Sequence, residues 1–290
     1  MIDTRIAKII NCQQISLDIK NNIKHEINNN ILEGKRQPCL AVIIIGDNPA
    51  SLLYVHNKQK ACAYVGMKSI LMHYESNITE SQIIEAIESL NNDVTIDGIL
   101  VQLPLPQHLN KINIIDKISH NKDVDGFTRY NMGSLIINSA TRSPCTALGV
   151  LHLLNFINFD YIGANAVIIG ASNIVGRPMA IELLNKGATV TICNSKTRDL
   201  SIYTKNADLI IIAIGQARFL KSSLIKQNSV IIDVGINKLS DGSIVGDVDF
   251  EDVIDKVSYI TTVPNGVGPM TIAMLIKNTF SCYLSNIIKI

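Results

Sequence analysis

No uninterrupted apolar stretch of this chain approaches the roughly 20 residues that a membrane-spanning helix needs. Gly, Asn, Asp or Lys interrupts each apolar run. The N-terminal MIDTRIAKIINCQQISLDIK is amphipathic and lacks the charged stub and apolar plug of a secretory signal. Charged residues are scarce at 18%, and the two signs are intermixed and nearly cancel, leaving a net charge of +1. That balance offers no electrostatic basis for a nucleic-acid partner or a polybasic membrane surface. The six cysteines (Cys12, Cys39, Cys62, Cys145, Cys193, Cys282) include no C-x-x-C pair and no Cys/His metal spacing. They read as reduced core or near-core thiols of a cytoplasmic protein without a metal site.

What the chain does have is apolar mass. Hydrophobic residues make up 47% of 290, enough to build the cores of two ordinary domains. Two series of alternating strand and helix signals run along it. The first contains the apolar run Leu40–Ile45, a helix from about Ala50 to Val65, a strand Met67–His73, a helix Glu80–Leu90 and a buried strand Gly98–Leu103. The second follows a turn-rich passage at Asn121–Asn131. It contains a helix Ala147–Ile157, the short strand Ala166–Ile169, and a turn Gly170–Gly176 opening a helix through Asn185. Strands at Thr189–Cys193, Leu209–Ile214 and Val230–Val234 complete it. Strands separated by helices at this spacing predict parallel sheets, the second doubly wound. A long amphipathic helix over Pro269–Ile287, with its proline near the start, ends the chain. The boundary between the two series is expected near Tyr130–Ser143.

In IIGASNIVGRPM, Gly170, Ser172 and Gly176 lie between an apolar strand and a helix. Glycines there let backbone N–H groups approach a pyrophosphate at a helix N-terminus. The spacing departs from G-x-G-x-x-G, so an ordinary strand-to-helix turn is the competing reading. At the end of the next strand, an NAD site usually carries a carboxylate for the ribose 2′-hydroxyl. Here the residues are Cys193-Asn194-Ser195-Lys196-Thr197-Arg198, with no carboxylate until Asp199. Hydroxyl and cationic groups suit a 2′-phosphate and so NADP, the alternative being a solvated loop.

GDNPASLLYVHNKQKACAYVG carries Ser51, Tyr54 and Lys58. Tyr54 and Lys58, at i and i+4, share one helix face. A phenol and an amine so placed can share a proton, and the lysine can act as general base or organise a water. Surface helices often show the same spacing without chemistry. His56 points elsewhere on the helix. Gln102 ends an apolar strand just before two prolines, where a parallel sheet faces its ligand crevice. Lys122-Asp123-Val124-Asp125-Gly126-Phe127 is a turn with two carboxylates. These could bind a cation, or one could accept hydrogen bonds from a guanidine-like heterocycle edge; Asp123 reads by default as solvated.

Taken in order, Gly46–Lys58, DGILVQLPLP, KDVDGF, Pro144-Cys145-Thr146, GASNIVGRPM, IDVGIN, GDVDF and VPNGVGPMT resemble the bacterial-type methylenetetrahydrofolate dehydrogenase/cyclohydrolase family over essentially the whole chain. The resemblance implies an α/β fold with an N-terminal catalytic domain (1–140 and 270–290) completed by the C-terminal helix. A Rossmann-like, doubly wound NADP-binding domain (141–269) lies between. It implies oxidation of 5,10-methylenetetrahydrofolate to the 5,10-methenyl cation with NADP, then hydrolysis to 10-formyltetrahydrofolate. By position Lys58 would be the central catalytic residue, with Tyr54 shaping the site, Gln102 orienting the lysine and Asp125 anchoring the pterin edge. Ser51, Val101, Leu103 and the loop Pro264, Gly266, Val267 and Gly268 would meet the folate. Gly170, Ala171, Ser172, Ser195 and Ile236 would meet NADP. Family members are homodimers joined through their NADP domains.

The chain departs from the family pattern at several positions. Ala147 follows Pro-Cys-Thr in place of a proline, and Thr262 replaces a proline before Val263. Asn265 replaces the first glycine of a GGVGP loop, and asparagine tolerates left-handed backbone, which favours retention of the loop shape. Asn11-Cys12 replaces Asp-Gly. Ala171 stands where some relatives carry an arginine for the 2′-phosphate. A monofunctional NAD-dependent dehydrogenase is the alternative within the fold, opposed by the joint presence of Lys58, Gln102 and Asp125. A noncatalytic nucleotide-binding protein would leave that set without a reason.

Overall fold

Apolar runs bounded by turn residues become the strands, and the longest of them is central. The computed structural model describes residues 8–140 and 142–287; the predicted stretches 1–7 and 288–290 lie outside the described residues. The strands are β1 (Lys8–Ile9), β2 (Cys39–Ile45), β3 (Lys68–Tyr74), β4 (Gly98–Val101), β5 (Asn165–Ile169), β6 (Thr189–Cys193), β7 (Leu209–Ile212), β8 (Val230–Asp233), β9 (Asn237–Lys238), β10 (Ile244–Val245) and β11 (Tyr259–Ile260). The chain divides into two compact units, one of residues up to Ile15 with Thr146–Thr271, the other of Ser16–Cys145 with Ile272 onward.

The unit containing Ser16–Cys145 holds a parallel sheet in the order β3-β2-β4. The sequence CLAVIII has no polar face, so β2 sits in the middle and every residue of it is buried. Its alternate residues Cys39, Ala41, Ile43 and Ile45 pack with Ile83, Ile87 and Leu90 of the helix Glu80–Asn92. Fully buried Ile83 and Ile87 each contribute about 1.5–3 kcal/mol. Thr79 and Gln82 form a capping box that starts that helix. The last helix, Val267–Ile287, contributes its later residues to this unit. There Tyr283, fully buried, donates its hydroxyl to the Arg36 carbonyl at 2.8 Å.

The other unit holds a six-stranded parallel sheet in the order β1-β11-β8-β7-β5-β6. The chain leaves β5 to one side for β6 and returns to the other side for β7. The carboxyl ends of β5 and β7 therefore flank a topological switch point, where doubly wound sheets bind ligands. Its core gathers Val167, Ile169, Ile210, Ile212, Ile231 and Ile260.

Three sequence expectations change. Residues 8–15 belong with the nucleotide-type sheet rather than the catalytic unit, because β1 pairs in parallel with β11, Lys8 opposite Tyr259 and Ile9 opposite Ile260. The two segment boundaries also fall a few residues later than 140 and 269, at Cys145/Thr146 and Thr271/Ile272. Finally, β7 stops at Ile212 rather than Ile214, and β8 at Asp233 rather than Val234. Beyond those points the backbone turns toward buried carboxylates: the Ile214 N–H donates to Asp247 and the Gly235 N–H to Asp233.

Candidate active site

Asn48 starts the helix Pro49–Val65 by accepting from the Ala50 and Ser51 N–H groups, with Pro49 in the first turn. Gly66, at φ +80°, stops it in the left-handed conformation. Between them the buried residues Ser51, Val55, Lys58, Cys62 and Val65 recur at helical spacing. Lys58 thus occupies a position on the inward stripe where packing alone calls for a hydrophobe, and it is only 8% exposed. Tyr54, one turn earlier, is half-buried, and burial raises its phenol above the ordinary value, so it remains a donor at neutral pH.

Lys58 Nζ donates to Gln102 Oε1 at 2.9 Å. Gln102 is placed by the last ladder bond of its strand, its N–H donating to the Ile43 carbonyl. Its own Nε2 donates to the Leu103 carbonyl at 2.7 Å, which fixes which end of the amide faces the lysine. Val101, just before it, is buried, and Leu103 is half-buried.

Asp123 is the clearest correction to the sequence reading. It is 1% exposed rather than solvated. Its carboxylate accepts from the Gly126 N–H at 2.9 Å, the Thr128 N–H at 2.8 Å and Asn131 Nδ2 at 2.9 Å. Asp123 therefore builds the turn that presents Asp125. Gly126 completes that turn at φ +71°, so close to the Ser143–Pro144 backbone that a Cβ would meet Ser143 C at 2.8 Å. Burial raises Asp125 above the ordinary carboxylate value; the Lys58 charge opposes this and the Asp123 charge adds to it. Cys145 is buried beside it, its thiol donating to the Val124 carbonyl at 3.2 Å and pushed well up by burial and by Asp125. Lys58, Gln102 and Asp125 thus lie in one compact unit.

Asn278 is a residue that reading passed over. From the last helix its Nδ2 donates to the Val124 carbonyl at 2.8 Å and the Ser143 carbonyl at 3.2 Å, pinning both sides of the Asp125 turn. The polar run Lys277-Asn278-Thr279 inside the mostly apolar AMLIKNTFSC was the available signal.

In the other unit, Gly170 follows β5 at φ +119°, where a Cβ would meet the Ala213 carbonyl oxygen at 2.4 Å. A Cβ on Gly176 would come within 1.9 Å of the Gly170 carbonyl oxygen. Ser172 Oγ accepts from the Val175 N–H at 3.1 Å. The turn is a cradle of backbone that no side chain could share, followed by the helix Gly176–Asn185, and this fits a dinucleotide pyrophosphate. Replacing Gly176 with alanine is expected to open the turn and weaken nucleotide binding by at least about tenfold, measurable by calorimetric titration. Ala171 is half-buried, while Ser195 and Ile236 are exposed at strand ends. Asp199, the first carboxylate after β6, is already engaged, accepting from the Ser201 N–H at 2.9 Å and hydroxyl at 2.7 Å.

The loop departures also resolve locally. Asn265 adopts φ +70°, the left-handed conformation expected of an asparagine replacing glycine. Thr262, in place of proline, donates its hydroxyl to the Pro264 carbonyl at 3.1 Å. In this loop Pro264 is exposed, Gly266 and Val267 are buried and Gly268 is half-buried. Ala147 is fully buried. Asn11 caps its helix by accepting from the Gln14 N–H.

Two carboxylates in IDVGIN and GDVDF were read only as motif letters. Asp233 and Asp247 are both buried, 3% and 0% exposed. Asp233 accepts from the N–H groups of Gly235, Asp247 and Val248. Burial pushes it up to about 6; these donors oppose the rise, and the Asp247 charge reinforces it.

Comparison with known proteins agrees with this geometry. The family model described as tetrahydrofolate dehydrogenase/cyclohydrolase, catalytic domain, matches residues 10–125, and its NAD(P)-binding domain counterpart matches residues 144–287. The chain is 52% identical over 273 residues to bifunctional protein FolD of Campylobacter jejuni, spanning 93% of this chain and 96% of that relative. The crystal structure of the bifunctional enzyme FolD from Campylobacter jejuni superposes with a TM-score of 0.94 at 50% identity, over 96% of this chain and 99% of that one. A Trypanosoma brucei methylenetetrahydrofolate dehydrogenase-cyclohydrolase, solved with NADP cofactor and inhibitor, gives 0.92 at 32% identity over 97% and 98%. Two family models in order and a half-identical relative over nearly the full length leave one assignment: the chain belongs to the tetrahydrofolate dehydrogenase/cyclohydrolase family.

Proposed function

We propose that Lys58, aimed by Gln102, is the proton-handling residue of a bifunctional folate enzyme. The chain is an NADP-dependent methylenetetrahydrofolate dehydrogenase and methenyltetrahydrofolate cyclohydrolase. NADP, when bound, accepts the hydride that leaves 5,10-methylenetetrahydrofolate. The resulting methenyl carbon is electrophilic, so its hydrolysis to 10-formyltetrahydrofolate needs a positioned water and a proton acceptor. The Lys58 amine supplies the acceptor. The 2.9 Å bond to Gln102 Oε1 fixes where the Lys58 nitrogen points; this contact carries the reading. Tyr54 supplies a phenol donor beside it. Ser51, Val101 and Leu103, with Pro264, Gly266, Val267 and Gly268, are assigned to the folate.

Asp125 accepts N–H groups of the pterin edge. Acidification through its raised pKa removes that acceptor. Folate affinity should therefore fall as the pH drops, from above the ordinary carboxylate range downward. Asp125→Asn should bind folate about 10- to 100-fold more weakly at neutral pH and lose that pH dependence. Fluorescence titrations across pH would check both.

Gly170, Ala171, Ser172, Ser195 and Ile236 are assigned to NADP. The hydroxyl of Ser195, and the engagement of Asp199 with Ser201, support NADP over NAD. We further place the enzyme in the cytoplasm as a homodimer. Among the described residues the six cysteines are free thiols and no helix is long and apolar enough to cross a membrane. The outermost strand β6, with Ile192 41% exposed, offers an edge for a second copy, testable by sedimentation.

The deciding assay supplies methylenetetrahydrofolate with NADP or NAD and follows cofactor reduction and methenyl decay independently. Methenyl accumulating and decaying only at its spontaneous rate would remove the cyclohydrolase half. No reduction with either nucleotide would remove the dehydrogenase half.

A further inference from the structure

Asp247 collects four hydrogen-bond donors from two loops at the carboxyl ends of neighbouring strands. Its Oδ2 accepts from the N–H groups of Ile214 at 2.7 Å and Gly215 at 3.0 Å, just past β7. Its Oδ1 accepts from the Gln216 N–H at 2.8 Å and from Asn237 Nδ2 at 2.9 Å, the latter just past β8. The fit admits nothing else: a Cβ on Gly235 would lie 2.2 Å from Asp247 Cγ, and one on Gly246 would lie 1.8 Å from Asp233 Oδ2. Asp233 in turn holds the backbone of Asp247 and of Gly235. Ile236 is thus bracketed by two residues, Gly235 and Asn237, each tied to a buried carboxylate.

The first of these loops begins at Ala213, whose carbonyl oxygen is the atom that a Cβ on Gly170 would strike. It therefore abuts the phosphate-binding turn at the switch point between β5 and β7. Two buried carboxylates are a costly way to close a turn, since each must give up its water. What the carboxylate adds is rigidity, because each oxygen is committed to two donors and Oδ1 takes one from each side, Gln216 and Asn237.

We propose that Asp247 is a positioning residue for the dinucleotide: it locks the Ile214–Gln216 loop and the Ile236 loop into one preformed wall of the cofactor site. This rests on the placement of NADP against the Gly170 turn and Ile236. The cyclohydrolase step uses no nicotinamide and provides an internal reference that a general loss of structure would also lower.

The test compares three variants of the full chain by calorimetric titration of NADP, by NADP-dependent oxidation, and by methenyl hydrolysis without nucleotide. Asp247→Asn turns an NH2 toward two donors whichever way the amide faces. It should raise the NADP dissociation constant and the KM for NADP about 10- to 100-fold while methenyl hydrolysis holds. Asn237→Ala removes a single donor at a half-buried residue, and should raise the dissociation constant about threefold even if Asp247→Asn folds poorly. Ile236→Glu examines the placement itself and should weaken NADP strongly. Unchanged NADP affinity in Ile236→Glu would overturn the placement and the proposal with it. Weakened affinity there, with Asp247→Asn and Asn237→Ala binding NADP normally, would overturn the role of Asp247 alone. So would hydrolysis falling in step with NADP binding.

Discussion

Replacing Lys58 with alanine is expected to lower methenyltetrahydrofolate hydrolysis by about 100- to 10,000-fold, the usual contribution of a positioned general base. Lys58 is 8% exposed and held at 2.9 Å by Gln102, and the phenol of Tyr54 stays protonated by burial, so it does not replace the lysine as a base. The loss should appear in turnover. Asp125 and its turn are held by Asp123, Asn278 and the Ser143–Pro144 backbone, none of which depends on Lys58. Arginine at the same position should not restore hydrolysis, because a guanidinium cannot give up its proton to act as a base. NADP affinity should be unchanged, since the Gly170–Gly176 turn is built in a separate compact unit. Stopped-flow hydrolysis and calorimetric NADP titration on one preparation decide the matter. Substantial retained hydrolysis, or lost NADP binding, would show that the residue has another role.

The largest effect on stability is expected at Asp97. Its carboxylate, 0% exposed, accepts from both terminal nitrogens of Arg36 at 2.7 Å, from the Cys39 N–H at 2.9 Å and from Asn286 Nδ2 at 3.0 Å. These bonds join the segment before β2, the start of β4 and the end of the last helix. The hydrogen bond to Asp97 is also the main cause that raises Arg36 above its ordinary value. Asp97→Ala removes the acceptor of Asn286 and of the buried backbone N–H that opens β2, and leaves the part-exposed Arg36 guanidinium with the Gln37 and Val94 carbonyls alone. The expected cost is about 1–3 kcal/mol, the range for leaving a buried donor without its acceptor. Because the chain has two units, the loss should appear in hydrogen exchange of β2 and β4 before any change in β5–β8. Asp97→Asn, which keeps the shape and part of the hydrogen bonding, should cost less. Equal costs for the two variants would refute the account.

The strands that could be read from the chain are those whose own residues carry the signal. β2, β4, β5, β6, β7 and β8 are short apolar or β-branched runs between turns, and each falls within two residues of its expected place. β1 and β11 could not be read, because two residues carry no periodicity; they form through pairing between Lys8–Ile9 and Tyr259–Ile260. The helix Cys12–Leu32 was seen only as an amphipathic start, its outer face being rich in Asn and Lys. Lys58 stood out only in company, through its spacing from Tyr54 and the motifs that follow it along the chain; its place on the inward stripe shows only in the structure. Asp123 was misjudged because two aspartates two residues apart look alike in a turn. Hydrogen bonds from Gly126, Thr128 and Asn131 make Asp123 structural, and they form only once the turn has folded.

Tyr54 and Lys58 sit one turn apart because helical spacing puts them there, and the order of the motifs along the chain is enough to name the family. Those properties are local, and they survive being written as a string of letters. Which carboxylates are buried, which turn each one holds, and which loops share a single acceptor depend on groups far apart in the chain. Asp97 meets partners 61 and 189 residues away, and Asp247 meets Ile214 at 33. A carboxylate's role follows from the donors that replace its lost water, and those donors are brought to it only when the chain has folded.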